Sequence, residues 1–244
     1  MTVSRVLFLI SLIPLTGCAA SVMTDESWEA RIFQQRTGIP HTPDCCIELS
    51  EINFKSLPNN EKKHHFSSSN LMIQIDGNPR PVIGLEIPDS ANFLQFLSYS
   101  DKDGGLVNFS NRMFIRPSVV FFDLHANVLS VRQDLPLCFG EKAWKPVAWV
   151  NLRIPEHARQ IAIYPSIDKP VQQIDLARRG VSGGAVAEAI SKANKLSYAE
   201  LRVGLVGPVG IEFFDEPPRI LGTCRSDLPI EDSLTPDGGF PSAD

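Results

Sequence analysis

Apolar and polar residues alternate with a period of two along much of this 244-residue chain. Leu71-Met72-Ile73-Gln74-Ile75-Asp76 and Ile83-Gly84-Leu85-Glu86-Ile87 read as neighbouring strands. Gly77-Asn78-Pro79-Arg80-Pro81 between them reads as a turn or short loop. Asn92–Tyr99 reads as a more buried strand, closed by a loop at Asp101-Lys102-Asp103-Gly104-Gly105. Ser118–Leu124 is apolar on both faces and belongs at the centre of a sheet. A turn at His125-Ala126-Asn127 returns it into Val128–Val131 as a hairpin. Over Lys145–Ile154 the pattern separates two faces. Ala148, Val150, Leu152 and Ile154 form the core side, and Val147, Trp149, Asn151 and Arg153 the other. Gln160–Tyr164, Ala199–Val206 and Gly210–Phe214 complete the strand-like runs.

These runs lie too close together for helical crossovers, so the sheet is expected to be largely antiparallel. The fold class predicted is all-β, an antiparallel β-sandwich or jelly-roll-like domain with one short helix near its C-terminal part. That helix is placed at Gly184–Lys195, capped by Ser182 or Gly183. A second short helix is expected around Ser27–Phe33, with Trp28 and Ile32 on one face. The chain divides into a signal segment at 1–17, a tether at 18–43, the sandwich at 44–224 and a Pro/Gly/acidic tail at 225–244.

The signal segment follows from one more pattern. Val6–Leu15 is an apolar run behind a single positive charge, Arg5. It is shorter than the roughly 20 residues that span a bilayer core. A basic start, a short apolar run and small residues at its end describe an export signal. Leu15-Thr16-Gly17-Cys18 matches the bacterial lipobox, so cleavage is expected between Gly17 and Cys18. The Cys18 thiol accepts the diacyl group, and acyl chains anchor the mature protein. Ala19, not aspartate, follows the cysteine, which favours the outer membrane with the domain in the periplasm.

Charge narrows the partners. The chain carries a net charge of −5, and removing residues 1–17 takes away one further positive group, Arg5. An acidic protein is a poor partner for nucleic acid. Cys45, Cys46, Cys138 and Cys224 remain beside Cys18 and are disulfide candidates in an oxidising compartment. Joining Cys45 to Cys46 closes a strained eight-membered ring, which makes that pairing costly. The two remaining connectivities, which join this pair to Cys138 and Cys224, stay open.

The order of these segments carries a resemblance. Cys45-Cys46 is followed by Ile47–Leu57, "LMIQIDGNPRPVIGLEIPDSANFLQFLSYS", "FIRPSVVFFDLHANVLSV", "RQIAIYPS" and "ELRVGLVGPVG". This succession, over residues 44–214, resembles the maltose operon periplasmic protein family. The resemblance implies an exported, β-rich protein linked to maltodextrin uptake, without catalytic activity. Cys138 and Cys224 are additions to that pattern.

Candidate chemistry is sparse. Gly180-Val181-Ser182-Gly183-Gly184 fits the G-x-S-x-G of a nucleophile elbow. However, all five histidines (41, 64, 65, 125 and 157) precede Ser182, and a helix N-terminus explains the motif better. His64 and His65 with the cysteines fit no standard zinc spacing. Asp76, Asp101 and Asp103 are ordinary turn acids, not a calcium loop. Trp144, Trp149, Tyr99 and Tyr164 could stack on a sugar, but core packing or ordinary partial exposure explains them better; Trp149, on the face with Asn151 and Arg153, is the best surface candidate among them. The chain is therefore read as a non-catalytic lipoprotein, without cofactor or metal, that binds maltodextrin or works beside a porin or uptake protein. The alternative is a structural envelope protein that scaffolds a protein partner; a serine hydrolase using Ser182 ranks third.

Overall fold

The computed structural model describes residues 25–39, 46–57, 63–75, 77–99, 113–133, 135–142, 145–166, 171–175, 198–218 and 222–223. Numbered along the chain, the strands form three sheets. The largest runs β1 (Lys63–Phe66), β13 (Gly207–Phe214), β4 (Phe93–Tyr99), β9 (Lys145–Arg153), β8 (Cys138–Lys142) and β14 (Gly222–Thr223). The second runs β2 (Leu71–Ile75), β3 (Asn78–Glu86), β10 (Gln160–Ser166), β6 (Arg116–Phe122) and β7 (Val128–Arg132). A small third sheet holds β11 (Val171–Asp175), β12 (Tyr198–Val203) and β5 (Met113–Phe114). Pairing within the two large sheets is antiparallel. β12 and β5 pair in parallel. The protein is all-β, with a sandwich-like core, as the alternating pattern predicts.

The central core draws side chains from both large sheets. Phe66, Leu94, Phe96, Ala148, Val150, Val209 and Ile211 come from one; Ile83, Leu85, Val119, Phe121, Ile161 and Ile163 come from the other. β6 is buried along its whole length on both faces, as its two-sided apolar run requires. β3 begins at Asn78, so the expected loop shrinks to a tight turn at Gly77, which adopts φ 73°. Pro79 and Pro81 are accepted in this strand because β10 pairs with β3 only over Ile83–Glu86. No ladder donor is needed there on that side.

The second sheet also has an apolar outer face, formed by Ile73, Val82, Val120, Phe122, Ala162 and Tyr164. Residues 47–57 cover it as a strap. Ile47 bridges Ile73 and Lys55 bridges Leu85, both in parallel. Ile52 is buried beneath the strap, and the Phe54 ring meets Phe122 edge-on at 5.4 Å.

The N-terminal segment departs from the tether reading. A helix, α1, spans Asp25–Thr37 and docks on the domain. Ile32 is buried against Met113, with Trp28 packed beside them. The Trp28 indole donates to the Val203 carbonyl at 2.8 Å, and the Leu205 amide donates to Gln35 Oε1 at 2.8 Å. Ile39 is buried with Met72, Val203 and Leu205. Residues 25–39 are thus part of the packed structure, because two large apolar groups and two long-range hydrogen bonds hold them. The expected helix at 184–195, the tail at 225–244 and the signal segment lie outside the described residues.

Candidate functional site

Three chain reversals meet at one end of the sandwich, where β3, β6 and β9 all finish. Backbone hydrogen bonds lock them together. The Ile87 amide donates to the Arg159 carbonyl at 2.8 Å, and the Arg159 amide donates to the Phe122 carbonyl at 2.8 Å. The Ile154 amide donates to the Asn92 carbonyl at 2.9 Å, and the Asn92 amide to the Phe214 carbonyl at 2.8 Å. The Asn92 side chain adds a bond to the Asp215 carbonyl at 2.9 Å. Loops tied in this way hold their side chains without needing a ligand to order them.

Between the loops 87–92 and 154–159 lies an open groove of about 590 Å³. Phe93 and Arg153, opposite each other in the β4–β9 register, contribute at the strand ends. Phe93 is half-buried and Arg153 exposed. Asp89, Asn92, Glu156, His157 and Arg159 supply polar groups. Arg159 Nε stands 3.8 Å from Asp89 Oδ1, and His157 Nε2 stands 3.8 Å from Glu156 Oε1. Both pairs are solvent-exposed, so neither rigidifies the groove much. His157 has φ 68°, in the left-handed region, which turns the β9–β10 connection sharply. The lining holds two carboxylates, Asp89 and Glu156, and two guanidinium groups, Arg153 and Arg159, so neither sign dominates among them. A hydroxyl-rich neutral ligand suits such a lining: it can donate and accept, and it can lay a C–H face on the Phe93 ring.

A second groove, of about 570 Å³, runs beside the strap and is lined by Asn53, Lys55, Ser56, His64, His65 and Asn70 among others. His64 and His65 are successive residues of β1, so their side chains leave opposite faces and do not converge on one ion. Among the described residues no group of three His, Cys, Asp or Glu converges.

Core packing holds for Trp149 and Tyr164, and the surface reading of Trp149 needs correction. Trp149 lies on the predicted face of β9, opposite Ala148 and Val150, but only 2% of it is exposed. It packs with Leu97, Cys138, Val147 and Tyr99. Its indole nitrogen is buried and finds no hydrogen-bond partner among the described residues. Trp149 therefore offers no ring to a sugar in solution. Tyr164 is buried in the outer-face cluster under the strap. Tyr99 is half-buried, and burial, followed by the nearby Glu212 carboxylate, raises its phenol above the ordinary value. The aromatic residue that lines one of these two grooves is Phe93. Nothing in the sequence marks it, because phenylalanine in a strand reads first as core.

Gly17, Cys18, Cys45, Asp76, Asp101, Asp103, Trp144, Ser182 and Cys224 lie outside the described residues. Cys46 packs beside Met72, Val203 and Leu205, and Cys138 beside Trp149. Among the described residues no helix is long and apolar enough to cross a membrane. No family model, no curated protein and no solved structure matches this chain.

Proposed function

We propose that this protein is an outer-membrane lipoprotein, acylated on Cys18, whose periplasmic sandwich binds rather than catalyses and serves carbohydrate uptake. The observation that carries the binding reading is the groove between loops 87–92 and 154–159. Its walls are fixed by backbone hydrogen bonds, neither sign dominates among its carboxylates and guanidinium groups, and Phe93 lines it. That combination matches a neutral oligosaccharide better than an anion or a cation. The order of motifs shared with the maltose operon periplasmic protein family makes maltodextrin the first ligand to try.

The placement of α1 is compatible with a lipid anchor. Residues 19–24 span at most about 20 Å when extended, so α1 would sit close to the membrane. α1 packs on Met113, three residues before β6 begins, and the groove loops bond to Phe122, where β6 ends. The groove then faces away from the membrane.

Calorimetric titration of the lipid-free domain with maltodextrin tests the ligand. Saturable heat that is lost in Phe93→Ala and Arg153→Ala supports the reading; a flat titration of wild type sinks it. Mass spectrometry of the mature amino terminus tests the anchor. An acylated Cys18, and release of a Cys18→Ser variant from membranes, are expected. An unmodified terminus rules the anchor out.

One observation favours the protein-scaffold reading. The β6–β7 hairpin exposes Leu124 (71%), Val128 (42%) and Leu129 (39%) on an edge of the second sheet. If maltodextrin does not bind and a protein crosslinks at this hairpin in intact envelopes, the scaffold role takes precedence.

A further inference from the structure

We propose that the groove beside the strap is a second binding site, for an anionic amphiphile: a phosphate or carboxylate head on one apolar chain. The groove, of about 570 Å³, lies between the later part of the strap, β1, the β1–β2 turn and β3. Its lining is of two kinds. Leu57 of the strap and Leu71 at the start of β2 give it apolar sides, and Leu71 is 42% exposed. An alkyl chain laid against them removes apolar surface from water. Lys55, Asn70 and the histidines of β1 supply the polar part.

Two observations give that polar part a sign. First, no carboxylate is among the described residues that line the groove, although the whole chain carries a net charge of −5. Lys55 is tied down through its backbone. Its amide donates to the Gly84 carbonyl at 3.2 Å, and its carbonyl accepts from the Glu86 amide at 3.0 Å. The side chain is thereby left to line the groove. Glu86, the acid next along β3, accepts from the Ser56 hydroxyl.

Second, the amide of Asn70 is fixed as a donor. Its Oδ1 accepts from the Ser67 amide at 2.7 Å and from the Ser67 hydroxyl at 2.9 Å. A backbone N–H only donates, so the atom turned to Ser67 is the oxygen and Nδ2 points the other way. The single Ser67 hydroxyl proton is thus spent, and at the 2.7 Å contact between the two serines Ser69 is the donor. His64 and His65 leave opposite faces of β1, so one imidazole joins Lys55 and Asn70. A ligand group that meets this set has to accept, and a negative one gains most.

A bare oxyanion would leave the leucines uncovered, and a neutral alkyl glycoside would leave Lys55 without an opposite charge. An anionic amphiphile answers both. The site is separate from the groove at the end of the sandwich and does not rest on the glycan reading.

Titrating octyl phosphate and octanoate into the labelled, lipid-free protein at neutral pH, below micelle-forming concentrations, tests the site. Octyl glucoside and inorganic phosphate are the comparison probes. Saturable amide shifts at Lys55, Asn70 and Leu71 are expected with octyl phosphate, octanoate or both, and the two probes show which head is preferred. The comparison probes should bind at least about tenfold more weakly. Lys55→Glu, a change at an exposed side chain, should weaken the anionic probes about five- to tenfold and leave octyl glucoside unchanged. Asn70→Asp keeps the Oδ1 bonds of the turn, replaces the donor with a second acceptor, and should weaken them likewise. Absence of shifts with both anionic probes overturns the proposal. So does octyl glucoside or inorganic phosphate binding as tightly as octyl phosphate, or a folded Lys55→Glu or Asn70→Asp protein that keeps wild-type affinity.

Discussion

Replacing Gly84 with alanine tests whether the 47–57 strap is integral to the fold. A Cβ at position 84 would stand 2.4 Å from Ile52 Cγ2, 3.2 Å from the Asn53 carbonyl oxygen and 3.4 Å from Phe54 Cδ1. The first distance is far inside carbon–carbon contact, and the second involves backbone that has no rotamer to change. The strap has to lift. Lifting its 52–57 part clear would expose Ile52 and part of Phe54 and would break two backbone bonds. These are Lys55 N–H to the Gly84 carbonyl at 3.2 Å and Glu86 N–H to the Lys55 carbonyl at 3.0 Å. Together those losses come to about 4–7 kcal/mol. Partial accommodation is cheaper, since overpacking an ordered core costs about 1–3 kcal/mol. We expect Gly84→Ala to fall in that lower range, which lowers Tm by about 2–12 °C for a domain of this size. Urea denaturation with thermal melting measures it. Ile52→Ala removes the clashing methyl, so the double variant should lose less than the sum of the singles by at least about 0.5 kcal/mol. A Gly84→Ala protein that unfolds at the wild-type urea concentration, or strictly additive costs, would refute the strap reading.

Two further predictions concern other parts of the molecule. Trp28→Phe removes the donor to the Val203 carbonyl, a loss of about 1–2 kcal/mol to helix docking. Trypsin should then cut at Arg31 or Arg36 roughly 5–30 times faster if α1 opens locally; an unchanged rate would mean the helix is held by something else. At the β6–β7 hairpin, the Asp123 carboxylate accepts from the Asn127 side chain at 2.8 Å, the Asn127 amide at 2.9 Å and the His125 amide at 2.7 Å. The Asn127 side chain is the largest cause holding this carboxyl below its ordinary range. A depressed value means that the stabilisation is present above the unfolded pKa and is lost as pH falls through the folded one. The His125 and Asn127 amide resonances should therefore shift together on acidification, at a pH below that of a free aspartate, and Asp123→Asn should abolish the transition.

The strands most legible in the sequence are those with one wet and one dry face, or none wet. β6, with no polar position between Val119 and Phe122, and the Ala148/Val150 side of β9 are where period-two reading places them. Trp149 was not legible, because Asn151 and Arg153 mark its face as polar while Leu97 and Val147 bury the other half of that face. β1, Lys63-His64-His65-Phe66, has no alternation to reveal it, and pairing with β13 makes it a strand. α1 shows only Trp28 and Ile32 as apolar contacts, and its decisive partner, Val203, is remote in the chain. The groove was invisible for a related reason. Asp89, Asn92, Glu156 and His157 read as ordinary turn residues, and only the register of β4 with β9 brings their loops together.

The central claim is that the end of the sandwich facing away from α1 binds a neutral glycan. Titrating maltodextrin into the isotopically labelled, lipid-free protein while following amide resonances tests it most directly. The account predicts saturable shifts concentrated at Asn92, Phe93, Arg153, His157 and Arg159, with Leu124–Leu129 and α1 unmoved. Spectra that stay unchanged at millimolar sugar, or shifts that centre on the β6–β7 hairpin, would contradict it.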